Sequence, residues 1–322
     1  MSGVLFLFPG QGSQSVGMTG WLASYEGAAR VLVAAAAAVP FDLASVCEDG
    51  PPELLTRTDI AQPAIFTTSM ATWAALTDLS RWDTARPAIG SIFMGHSLGD
   101  YGAVVAAGIL QPDQALQVVV QRGRAMKEAG EGGRGGMMAV LGGSDAVVDE
   151  LCRGIDGLWP ANYNSPGQVV VSGTETALQR FQPAVLAAGA RKVVRLAVSG
   201  AFHSPLMAQA SATVAKALAD IEVSDTAESG SFFSSTEVAF VRPGEVARVM
   251  ARQVVAPVRF AQSVAAVREQ VELVVEVGPG RVLGGLVKKI APGLTVISTN
   301  DEKSLLTAAE ALGDLRAQGG RR

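Results

Sequence analysis

The run Ile89-Gly-Ser-Ile-Phe-Met94, then Gly95-His-Ser-Leu-Gly99, then Asp100–Ala107 decides the fold. A short β-type segment enters a glycine turn and leaves as a helix, the local order of an α/β sheet. A turn that sharp holds its serine in a strained conformation, and glycines two residues to either side let neighbouring backbone pass without a Cβ clash. The helix that starts there aims free N–H groups and a positive dipole end at the Ser97 hydroxyl.

Working outward, the same order recurs. Val4–Phe8 reads as a buried strand that runs into Pro9-Gly-Gln-Gly-Ser-Gln14. Trp21–Val39 is alanine-rich and helical, closed by Pro40. Ala64–Leu79 reads as a helix with Pro63 in its first turn, and Gln111–Ala129 as another with Pro112 at its start. Further on, helices are predicted over Pro205–Asp220, Pro243–Val255, Arg281–Ile290 and Glu302–Gln318. Strands are predicted over Ser231–Ser235, Leu273–Val277 and Leu294–Ser298. Strands that alternate with helices imply a parallel sheet covered on both faces.

Gly130–Gly136, five glycines in seven residues, breaks this pattern. After it, Met137–Leu141 (strand), Ala146–Cys152 (helix), Gln168–Ser172 (strand), Thr174–Ala188 (helix) and Lys192–Ala197 (strand) form a compact succession. The prediction is an inserted α+β subdomain over 131–199, with 1–130 and 200–322 forming the large domain.

Composition limits the function. Of 322 residues, 48% are apolar and 17% charged, and the net charge is -4, without the basic footprint a nucleic-acid binder needs. No apolar run reaches the length of a membrane span, and Met1–Pro9 lacks the basic lead of a signal peptide. Cys47 and Cys152 are the only cysteines, without metal-ligand spacing, and read as buried thiols of a cytoplasmic protein. No metal and no bound cofactor are expected.

A serine hydroxyl needs a base, and the chain has only His96 and His203. His96 adjoins Ser97, so its side chain is expected to point away. His203, in a loop between strand and helix, is the candidate base. No acid stands out as a third member: Asp100 reads as support for the helix N-terminus. A dyad steered by a backbone carbonyl is expected.

Six ordered motifs resemble the malonyl-CoA:acyl-carrier-protein transacylases, a family that includes polyketide synthase acyltransferases. They are Pro9–Gln14, Gly95–Gly99, Gln121–Met126, Asn162–Gln168, Gly200–His203 and Glu276–Gly280, and together they span nearly the whole chain. The resemblance implies an α/β-hydrolase-like core with a parallel sheet plus an inserted ferredoxin-like α+β subdomain. It implies ping-pong transfer of malonyl from malonyl-CoA through a Ser97 oxyester to the phosphopantetheine thiol of an acyl carrier protein. It gives the oxyanion hole to the backbone N–H groups of Gln11 and Leu98, the carbonyl that orients His203 to Gln253, and the malonyl carboxylate to Arg122. A planar guanidinium suits that carboxylate because it grips through two parallel hydrogen bonds. Arg124 is left to the surface. Gln62, Met126, Met137, Asn164, Phe202 and Val282 are implied as the substrate pocket.

Leu98 and Gly-Ala-Phe-His203 resemble malonyl-type members, whereas methylmalonyl-type members more often carry glutamine and Tyr-Ala-Ser-His. Phe202 would fill the space of an α-methyl group. Asp100 stands where glutamate is commoner, Ser231–Thr236 lacks an asparagine often seen there, and the pair Met137-Met138 is positioned to reshape the acyl pocket. Arg191-Lys192 and Lys288-Lys289 are candidate docking charges for an acidic carrier protein. A monomer is expected, with no nucleic-acid or membrane partner. Alternatives are a trans-acting polyketide acyltransferase for a different acyl unit, a hydrolase of carrier-protein thioesters with the same fold, and a non-catalytic scaffold. A dinucleotide enzyme is disfavoured because Gly10-Gln-Gly-Ser-Gln lacks the fingerprint spacing.

Overall fold

A computed structural model describes residues 3–82, 90–131, 135–224 and 231–319. Ile89, at the start of the predicted second strand, and residues 132–134 of the glycine run lie outside the described residues. Among the described residues the strands are β1 (Gly3–Phe8), β2 (Ser91–Gly95), β3 (Gly136–Leu141), β4 (Leu158–Ser165), β5 (Gln168–Gly173), β6 (Lys192–Arg195), β7 (Ser231–Ser234), β8 (Ala239–Phe240), β9 (Val271–Glu276) and β10 (Thr295–Ser298).

The large sheet has the order β10-β9-β1-β2-β7-β8, parallel except for the final hairpin between β7 and β8. β1 lies in its middle, and the five apolar side chains Val4–Phe8 have no solvent exposure. Helices cover both faces of the sheet, and this is why the strand reads as an unbroken apolar run rather than an alternation. Phe6, Phe8 and Phe93 pack on one face with Trp73, while Leu5, Leu7 and Met94 pack on the other with Phe260 and Val264.

The small sheet has the order β4-β5-β3-β6 with every pair antiparallel. With helices Asp145–Gly154 and Glu175–Ala187 it forms the βαββαβ ferredoxin-like arrangement around its own core of Met138, Val140, Val171, Leu178 and Phe181. β4 ties this sheet to the segment just ahead of helix Phe260–Val267: Tyr163 N–H donates to Val258 O at 2.8 Å and Val258 N–H to Ala161 O at 2.9 Å.

Several elements depart from the sequence reading. β4 is a strand that pattern alone does not reveal, because Pro160 and two register irregularities interrupt its alternation. Helix Phe260–Val267 and the short β8 were also not predicted. The helix predicted to open at Pro63 begins instead at Thr58 and carries the proline inside it. Most of its side chains are buried, and that packing outweighs the one backbone hydrogen bond lost at Pro63. The predicted helix Trp21–Val39 is a 3-10 turn, Gly20–Ser24, followed by an α-helix, Glu26–Ala38. None of the helices among the described residues is long and apolar enough to cross a membrane.

Candidate active site

Ser97 sits at the carboxyl end of β2 with φ of +54°, a left-handed conformation that costs a non-glycine residue about 1–3 kcal/mol. The turn tolerates no bulk at its glycines. A Cβ on Gly99 would meet the Phe8 carbonyl, and one on Gly95 would meet the backbone of Gly99 and Asp100. Helix Gly99–Ala106 starts directly behind the hydroxyl.

His203 also has positive φ, +58°, and is buried. Its Nε2 lies 2.8 Å from Ser97 Oγ, and its Nδ1 lies 2.9 Å from Gln253 O and 3.1 Å from Ala256 O. Two carbonyls can only accept, so Nδ1 carries the proton and Nε2 offers its lone pair to the hydroxyl. Burial and then the Arg122 charge push the His203 pKa down to about 3, so the ring is neutral in the unliganded site.

Arg122, on helix Pro112–Gly130, is among the largest fully buried side chains. Its Nη1 donates to Gln62 Oε1 at 2.7 Å, and its Nη2 to Ser97 Oγ at 3.0 Å and Gln253 Oε1 at 3.2 Å. The guanidinium also stacks 5.7 Å above the Tyr101 ring. All three acceptors are neutral, and among the described residues no carboxylate lies within ion-pair distance of it. Burial lowers its pKa, yet guanidinium stays protonated in proteins. A buried cation whose direct hydrogen-bond partners are all neutral, with the Asp100 carboxylate acting on it only at longer range, is costly, so the site is electrostatically prepared for an anion. Arg124 is exposed and pairs with Glu128 on the same helix.

Around these groups lies a cavity of about 480 Å³. Gln11, Gln62, Leu98, Met126, Met137 and Phe202 line it, together with Ser97, Arg122 and His203. Among the described residues, the backbone N–H groups of Gln11 and Leu98 have no partner within the protein. Two residues implied for the pocket lie elsewhere. Val282 opens helix Val282–Ile290 half-exposed and outside the lining, where the helix start is held by Glu276: that buried carboxylate accepts N–H bonds from Leu283 and Gly284. Asn164 does not line the cavity; its Oδ1 accepts from His96 Nε2–H at 2.8 Å. His96 bonds Asn164 rather than Ser97, and the residue belongs to the lining of the same cavity.

Sequence reasoning missed the Gln253 side chain, which touches groups 131 to 156 positions away. Thr56 and Leu196–Val198 also line the cavity without any motif to mark their role, and so does Asn162, whose motif was quoted but which was not among the implied pocket residues. Asp100, read from sequence as a helix-end charge, is fully buried and accepts from Gly95 N–H at 3.0 Å and from Gln253 Nε2. Burial pushes both cysteine thiols up to about 12. Among the described residues there is no group of three or more His, Cys, Asp or Glu placed to hold a metal ion.

The acyl transferase domain model matches residues 5–292. The malonyl CoA-acyl carrier protein transacylase of Salmonella typhimurium is 37% identical over 96% of this chain and 99% of its own length. That of Bacillus subtilis is 35% identical over 97% and 98%. Among solved structures, the acyl-carrier-protein S-malonyltransferase of Burkholderia pseudomallei superposes with a TM-score of 0.89 at 36% identity, covering 96% of this chain and all of that one. A complex of a type II PKS acyl-carrier protein with its malonyl-transacylase gives a TM-score of 0.89 at 34% identity, covering 97% and 100%.

Proposed function

Because the chain belongs to the acyl transferase family, among the malonyl-CoA–acyl carrier protein transacylases, we propose that it moves malonyl from coenzyme A to a carrier-protein thiol through Ser97. The observation that carries this reading is the contact of Arg122 Nη2 with Ser97 Oγ at 3.0 Å. In a malonyl thioester one methylene separates the reacting carbonyl from the distal carboxylate, roughly 2.5 Å at ordinary C–C bond lengths. A guanidinium beside the nucleophile can therefore hold the far end of this substrate while the near end reacts.

Ser97 Oγ attacks the thioester carbonyl as His203 Nε2 takes its proton. The oxyanion gathers on the amides of Gln11 and Leu98, donors of a kind worth a few kcal/mol in the transition state. The C–S bond breaks, and the thiolate leaves with the proton from His203. In the second half the phosphopantetheine thiol gives its proton to His203 and attacks the ester, and Ser97 recovers its hydrogen. The Gln253 carbonyl keeps the imidazole in the required tautomer. Arg122 lowers the His203 pKa in the empty site, and a bound carboxylate offsets that charge, so the base strengthens when substrate arrives.

The family alternatives differ in what accepts the acyl group. Arg122 supports malonyl over a plain acyl unit, and transfer over hydrolysis. The sheets and their separate cores support the division into 1–130 with 200–322 and 131–199. Lys288-Lys289 and Arg191-Lys192 are offered as the docking charges for the carrier protein, and a cytoplasmic monomer, consistent with two free buried thiols, completes the reading. The test is incubation with malonyl-CoA and a phosphopantetheinylated carrier protein. Malonyl on the carrier is the expected product. Free malonate as the main product would instead make the protein a hydrolase.

A further inference from the structure

We infer that Asp100 is a positioning residue for substrate choice: its carboxylate fixes the amide of Gln253 and, through that amide, the guanidinium of Arg122. The inference rests on the reading of Arg122 as the malonyl carboxylate clamp.

The hydrogen bonds allow only one arrangement. Asp100 Oδ1 is occupied by Gly95 N–H at 3.0 Å, and Oδ2 accepts from Gln253 Nε2. The second proton of Nε2 goes to Ser97 O at 2.9 Å. Both donors of the Gln253 amide are thereby committed to acceptors, and its Oε1 is left facing Arg122 Nη2 at 3.2 Å. The same residue's main-chain carbonyl receives His203 Nδ1–H at 2.9 Å. One glutamine thus touches the elbow, the clamp and the base, and one buried carboxylate sets which way its amide points. Asp100 and Gln253 have no solvent exposure and Arg122 has 1%, so water cannot supply missing partners freely.

An Asp100→Asn side chain keeps its oxygen for Gly95 N–H and turns an NH₂ towards Gln253. If the glutamine stays, two donors face each other. If it flips, an NH₂ faces the guanidinium and a carbonyl oxygen faces Ser97 O. Either way the clamp loses a correctly directed acceptor. Acetyl lacks the distal carboxylate, so its loading does not use the clamp.

The experiment measures kcat/KM for Ser97 acylation with malonyl-CoA and with acetyl-CoA, for wild type, Asp100→Asn, Asp100→Glu, Gln253→Met and the double variant Asp100→Asn/Gln253→Met. The malonyl-to-acetyl ratio should fall on the order of tenfold in Asp100→Asn and Gln253→Met, a shift that a general loss of packing would not produce. It should stay near wild type in Asp100→Glu, which keeps both acceptor oxygens. The double variant should be no worse than Gln253→Met, since the two residues act in series. Equal losses on both substrates, an equal fall in Asp100→Glu, or additive effects in the double variant would overturn the inference. If Asp100→Asn does not fold, Gln253→Met alone carries the test by the same ratio. Arg122→Ala serves as the control: an unchanged ratio there removes the clamp itself, whereas a changed ratio there and none in the Asp100 and Gln253 variants removes only the positioning role.

Discussion

The cavity has two unlike walls. On one, Ser97, His203, Arg122 and Gln62 are each held by directed hydrogen bonds between 2.7 and 3.0 Å, backed by the Gln253 amide. On the other, the buried Met137 and Phe202 and the partly buried Leu196 and Val198 present carbon and sulfur and are held by packing. Directed bonds have few alternative arrangements, whereas thioethers and aliphatic chains repack at small cost. On the proposed function, that difference assigns the reaction and the demand for a carboxylate to the first wall, and the tolerance for acyl size to the second.

The largest effect separating the walls is expected from Ser97→Ala. It should abolish the covalent malonyl adduct seen by intact-protein mass spectrometry and lower transfer by on the order of 10⁴-fold or more. An adduct that persists would move the nucleophile elsewhere. Next comes the pH dependence of acylation, followed with acetyl-CoA so that the clamp is not involved. With the His203 pKa lowered from 6.5 to about 3, the basic form persists on acidification and is lost only as pH approaches that value. The rate should still be on its plateau at about pH 5, where a histidine of ordinary pKa would be more than nine-tenths protonated. A half-maximal rate near 6.5 would mean that the ring is not desolvated as described. The smallest effect belongs to the soft wall. Phe202→Ser should raise methylmalonyl relative to malonyl loading by roughly 10-fold, since a methyl-sized mismatch is worth about 1–3 kcal/mol. No change in that ratio would assign acyl size to other residues.

The two walls also differ in how far they can be read from the chain. The elbow was legible because Gly95 and Gly99 are forced by backbone approach, and such constraints leave residue types at fixed spacing. His203 stood out by elimination, as one of two histidines. The alternation of strands and helices gave the parallel sheet, and the glycine run gave the start of the second sheet. β4 was hidden by its proline and irregular register, although it supplies Asn162 to the wall. The Gln253 side chain and the burial of Asp100 were hidden for another reason. Their partners are brought together only by tertiary contact across 153 positions, and no local period encodes that. Val282 was implied for the pocket by the resemblance alone, whereas it opens a helix whose next two N–H groups, of Leu283 and Gly284, bond the buried Glu276 carboxylate.

The most direct measurement is a competition. Wild type and Arg122→Ala are mixed with equal malonyl-CoA and acetyl-CoA, and the acyl group on Ser97 is identified by intact mass. Wild type should carry malonyl, and Arg122→Ala should carry mainly acetyl, a swing of roughly 10²–10³ in the ratio if two charge-assisted hydrogen bonds are lost. An Arg122→Ala protein that still loads malonyl in preference would contradict the account, because the carboxylate would then be held by something other than this guanidinium.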